Sequence, residues 1–126
     1  MSLILDAGAL IAYQRGSRIA RAFLLRALES GEAVRTSTAV VAQVWRHGGR
    51  QAALARLLRG VEEVPLTSRR AREVGGLLGR AGGADVVDAS LVELAATGDE
   101  ILTSDPDDLL RLANHSGKVL IVTPIG

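Results

Sequence analysis

The chain contains no cysteine, which excludes disulfides, thiolate metal sites and cysteine nucleophiles. Its aromatic residues are Tyr13, Phe23 and Trp45 alone. So few rings leave no stacking platform for bases, which argues against a single-strand binder of the RRM or OB type. No run approaches the roughly 18 apolar residues needed to span a bilayer. Residues 1–6 also lack the charged region, apolar stretch and cleavage site of a signal peptide. A protein without membrane contact, in the cytoplasm, is the expectation. What remains is aliphatic: 48% of the 126 residues are hydrophobic and 23% charged, the balance of a folded domain rather than a disordered chain. This length suits one domain, 1–126, with a core built from Leu, Val, Ile and Ala.

Lysine is nearly absent too, with Lys118 beside fourteen arginines. The net charge of +1 conceals an asymmetry. Residues 1–60 carry nine arginines against Asp6, Glu29 and Glu32, whereas residues 61–126 carry six basic groups against eleven acids. A basic half beside an acidic half suits an enzyme that holds a cation and meets a polyanion. Ordinary solvated helix faces would produce the same imbalance.

Short apolar runs at 2–6, 33–36, 61–66, 100–103 and 118–122 read as buried strands. Segments 17–30, 38–47, 51–58, 68–80, 86–97 and 106–114 read as helices, with a shorter one near 7–13. This alternation, with strands that are apolar throughout, predicts an α/β fold whose parallel sheet is covered on both faces. Glycines at 31, 48–49, 82–83, 98 and 117 punctuate the elements, and no internal repeat or linker is visible.

Open parallel sheets bind ligands beyond the carboxyl ends of their strands. Asp6 stands there after Leu3-Ile4-Leu5, and Asp105 after Ile101-Leu102-Thr103-Ser104. Either could be only a helix cap, Asp105 for the helix that Pro106 opens. The segment Ala84-Asp85-Val86-Val87-Asp88 is more informative. On a helical wheel Val87, Leu91, Leu94 and Ala95 form an apolar arc, roughly 180° to 280° from Asp85, and Asp88 falls near about 300°. Asp85 could cap the helix, whereas Asp88 has no such role and lies beside the apolar face, where an unpaired carboxylate is costly.

Magnitude decides what such a group needs. Two carboxylates about 4 Å apart repel by roughly 4 kcal/mol at an effective dielectric near 20. Three or four of them converge only if they are protonated or share a cation. A hard divalent ion takes oxygen ligands, keeps several waters and binds phosphate, which suits phosphodiester hydrolysis.

The strand end at Leu3–Asp6, the helix after Thr36-Ser37, the Asp85 segment and Thr103-Ser104-Asp105 together resemble the four acidic motifs of PIN domains, specifically the small VapC toxin ribonucleases. The order and spacing extend from Leu3 to Val122. The resemblance implies a three-layer sandwich with five parallel strands in order 3-2-1-4-5. It also implies an endoribonuclease dependent on Mg²⁺ or Mn²⁺, a homodimer, and a cognate VapB-like antitoxin. Asp6, Asp85 and Asp105 are then the catalytic and metal-binding residues.

One motif departs from the family. Its glutamate in the helix after the second strand is Gln43 here. Asp88, one turn beyond Asp85, is the residue placed to supply the missing charge. Gln43, Arg46, His47 and Ser104 are candidates for contact with RNA, although a solvated polar face is the simpler account of Gln43, Arg46 and His47. The alternative reading is a PIN-like protein weakened in catalysis that binds RNA or antitoxin. A phosphoryl-accepting receiver domain would need an acidic pair after the first strand, and a dehalogenase-like phosphatase a second aspartate at position 8. Ala7 and Gly8 follow Asp6 instead. No Walker or dinucleotide-binding glycine loop follows that strand.

Overall fold

A computed structural model describes residues 1–46 and 48–125. The chain alternates strands and helices as β1 (Ser2–Leu5), α1 (Ala7–Gln14), α2 (Arg18–Glu29), β2 (Ala33–Ser37), α3 (Thr38–Val44), α4 (Ala52–Leu58) and β3 (Glu62–Val64). It continues through α5 (Ser68–Ala81), α6 (Val86–Leu94), β4 (Glu100–Thr103), α7 (Pro106–Asn114) and β5 (Ile121–Pro124). A 3₁₀ turn, Gly48–Arg50, precedes α4.

All strand pairings are parallel and the order is β3-β2-β1-β4-β5, as the resemblance implies. The chain builds outward from β1 in one direction, then returns to build in the other. Right-handed crossovers therefore put the first helices on one face and the later ones on the opposite face. In agreement, α1 packs with α2, α3 and α4, while α5, α6 and α7 pack with one another. The strands of the middle are apolar because both faces are covered: Leu3, Ile4, Leu5, Ile101 and Leu102 are buried. At about 25 cal/mol per Å² of apolar surface, such aliphatic layers are the main stabilising term.

The edge strands depart from the expected burial. Glu62 and Glu63 in β3 and Ile121 in β5 are exposed, since an edge strand lacks a neighbour on one side. β5 begins at Ile121 rather than 118, where it pairs with Glu100, the first residue of β4. The Lys118 ammonium turns inward and donates to the Val92 carbonyl (2.9 Å) and the Glu93 carbonyl (2.6 Å). Those are orphan carbonyls at the end of α6, so the helix stops at Leu94 rather than 97. Ala95 then turns extended, and the buried Asp99 carboxylate accepts from Ala96 N–H and from Ser2 N–H. Helix α3 likewise stops at Val44, short of 47. The Gln51 carboxamide takes up its end, donating to the Val44 carbonyl and accepting from Arg46 N–H.

Candidate functional site

Strand order reverses at β1, so the crevice beyond the carboxyl ends of β1 and β4 is the switch point of this sheet. Asp6 stands at the first of these ends. It caps α1, its carboxylate accepting from Ala9 N–H at 2.7 Å, and it is buried. Its other oxygen accepts a short hydrogen bond from the Thr103 hydroxyl at the end of β4. Thr103 in turn accepts from Asp105 N–H at 2.9 Å. One hydroxyl thus joins the two strand ends through Asp6. Burial raises the Asp6 pKa above its ordinary value, opposed by Thr103 and by the N–H groups of Ala9, Ser104 and Gly8.

Gly8 is required by this closeness. A Cβ there would lie 1.8 Å from Ser104 Oγ and 3.3 Å from an Asp6 oxygen. The first turn of α1 can approach the β4 exit only where no side chain intervenes.

Asp85 caps α6, its carboxylate accepting from Asp88 N–H at 3.0 Å. It is exposed, and Asp88 is partly buried. The third member comes from α7: Asp85, Asp88 and Asp108 each present a carboxylate oxygen, all within 4.8 Å of one another. Asp88 responds to that crowding. Its pKa rises from 3.8 to about 7, first through burial, then through the negative charges of Asp85 and Asp6, a proton shared with Asp85, and the charge of Asp108. Asp6 therefore acts on the trio electrostatically.

The arrangement fits a divalent cation. Metal–oxygen distances of about 2.0–2.6 Å place two ligand oxygens of one ion no further apart than roughly 4–5 Å, which this trio satisfies. Asp105 lies outside the trio. It is exposed at the N-cap of α7 and makes no side-chain capping bond. Asp108, one turn further on, was not anticipated from the sequence. Its spacing from Asp105 was the available signal, since i and i+3 share a helix face. The contacts of Thr103 with Asp6 and of Gly8 with Ser104 have no local signal in the sequence either.

Gln43 is exposed in the last turn of α3. The Arg46 guanidinium folds back on the same helix end, donating to the Trp45 carbonyl at 2.7 Å and the Ala42 carbonyl at 3.3 Å. Neither bonds to an aspartate among the described residues. His47 lies outside the described residues. Ser104 is exposed beside Gly8. A buried hydroxyl pair, Ser37 on α3's N-cap and Ser90 of α6, links those helices at 2.8 Å. No helix among the described residues is long and apolar enough to cross a membrane.

A doubly covered parallel sheet with order 3-2-1-4-5 and carboxylates gathered at its switch point defines an α/β class with an acidic centre. The family model of the PIN domain matches residues 3–114, and the chain belongs to that family. Its fold is similar to that of a chain in the crystal structure of VapBC2 from Rickettsia felis bound to a DNA fragment from their promoter. The likeness has a TM-score of 0.72 at 14% identity, covering 97% of this chain and 98% of the other. No curated protein matches the sequence significantly.

Proposed function

We propose that this protein is a metal-dependent endoribonuclease that acts as the toxin of a toxin–antitoxin pair. The observation that carries the catalytic part is the trio Asp85, Asp88 and Asp108 within 4.8 Å, facing the charge of Asp6. Membership of the PIN family, whose members are typically metal-dependent nucleases, supports it. Likeness to a chain of a VapBC2 complex supports the toxin part and a VapB-like antitoxin as partner.

In this reading Asp85, Asp88 and Asp108 hold Mg²⁺ or Mn²⁺, with Asp6 completing the negative field and Asp105 adding to it at the mouth of α7. A bound divalent ion supplies an activated water and charge stabilisation for the departing oxyanion. The rest is done by the chain. Thr103 holds the Asp6 carboxylate in one orientation, and Gly8 lets Ser104 stand beside it, where its hydroxyl is available to an RNA phosphate. Gln43 in the last turn of α3 and Arg46 just beyond that helix meet RNA from the basic half, and the toxin works in the cytoplasm as a homodimer. Asp88 carries the charge that Gln43 lacks, so the weakened-enzyme alternative rests on Gln43 alone.

Cleavage of structured RNAs tests this proposal. Activity is expected with Mg²⁺ or Mn²⁺, is expected to stop with EDTA, and should nearly vanish in Asp6→Asn. Cleavage at full rate in EDTA would refute the metal mechanism.

A further inference from the structure

Asp85 and Asp108 reach the acidic centre from different elements. Asp85 ends the loop between α5 and α6, and Asp108 lies in the first turn of α7. That loop opens on Gly82 and Gly83, both exposed and at positive φ (77° and 109°), so the backbone entering it has little steric restraint of its own. Arg111 crosses this gap. Its Nη1 donates to the Ala81 carbonyl at 2.8 Å and the Gly82 carbonyl at 2.5 Å. Its Nη2 lies 3.7 Å from an Asp108 carboxylate oxygen. A Cβ on Gly83 would meet Nη2 at 3.1 Å, so the guanidinium lies against the bare glycine.

We propose that Arg111 is a positioning residue that pins the Asp85 loop to α7 and thereby sets Asp85 against Asp108. The inference rests on the metal reading above for its consequence, but not for its geometry. Two effects of the guanidinium oppose each other. As a cation beside Asp108 it competes with a metal; as a planar donor it holds the loop in place. The ion pair is long and half exposed, which makes it weak. The two hydrogen bonds are charge-assisted and aimed at the carbonyls of Ala81, the last residue of α5, and of Gly82, its C-cap, so positioning dominates. A lysine keeps the charge but not the fork that spans two carbonyls and a carboxylate together.

Arg111→Lys and Arg111→Ala, each compared with the parent protein, test this. Hydrogen exchange without added metal should speed up at residues 82–88 in both variants and stay unchanged elsewhere. Calorimetric titration with Mn²⁺ should show affinity lowered about tenfold or more in both, the usual effect of removing a group that orients metal ligands. Parent-like exchange and affinity in Arg111→Lys would make charge the cause and overturn the proposal. So would tighter Mn²⁺ binding in Arg111→Ala, or faster exchange spread across the whole chain with parent-like affinity. If the parent itself binds no Mn²⁺, the metal reading fails, and the exchange data alone decide the role of Arg111: unchanged exchange at 82–88 in Arg111→Ala overturns it.

Discussion

Asp88 is the residue on which the acidic centre turns. Its pKa is raised from 3.8 to about 7 by burial and by three neighbouring carboxylates. The folded protein therefore binds a proton that the unfolded chain has lost across this window, and stability falls as pH rises from near 4 to near 7. Asp6, also raised by burial, has the same sign. In EDTA the melting temperature should be higher at pH 5 than at pH 7.5, and Asp88→Asn should flatten that slope. At pH 7.5 the same substitution removes one charge from a repulsive group with little change in shape, and the metal-free variant should be stabilised by on the order of 1 kcal/mol. Its rise in melting temperature with Mn²⁺ should shrink. Loss of stability in EDTA with an unaltered Mn²⁺ shift would make Asp88 a structural acceptor instead. The sequence made Asp6, Asp85 and Asp88 visible because strand ends and helix faces follow from local periodicity. It did not reveal Asp108, because acidic residues are ordinary in the first turn of a helix, where Asp108 stands.

Among the elements, the junction of β1, α1 and the β4 exit is the tightest constraint. Gly8→Ala would place a methyl group 1.8 Å from Ser104 Oγ, so either Ser104 or the helix must move. Overpacking of this kind costs about 1–3 kcal/mol, which urea denaturation would measure. Denaturation matching the parent would show that the junction is loose. Strand and helix types could be read in advance because their apolar periods differ. The helix ends at 44 and 94 could not, since each is taken up by a side chain outside the helix. Gln51 takes up the end of α3, and Lys118 takes up the end of α6. A polar residue many positions away carries no local signal that it will satisfy a helix end. The order 3-2-1-4-5 came from the resemblance, because periodicity does not determine which strands become neighbours.

At the scale of the whole molecule, a basic first half and an acidic second half meet along the sheet whose switch point holds the aspartates. If that junction cleaves RNA in the cell, expression without antitoxin should arrest growth, and Asp85→Asn should relieve the arrest at equal protein level. Undiminished arrest would separate toxicity from the acidic centre. The central claim is narrower: carboxylates from α6 and α7 share one divalent ion. Crystals grown with Mn²⁺ and measured at its absorption edge address it directly. An anomalous peak is expected within about 2.0–2.6 Å of carboxylate oxygens of Asp85, Asp88 and Asp108. A fully occupied peak elsewhere, or none at this trio at saturating Mn²⁺, would contradict the claim.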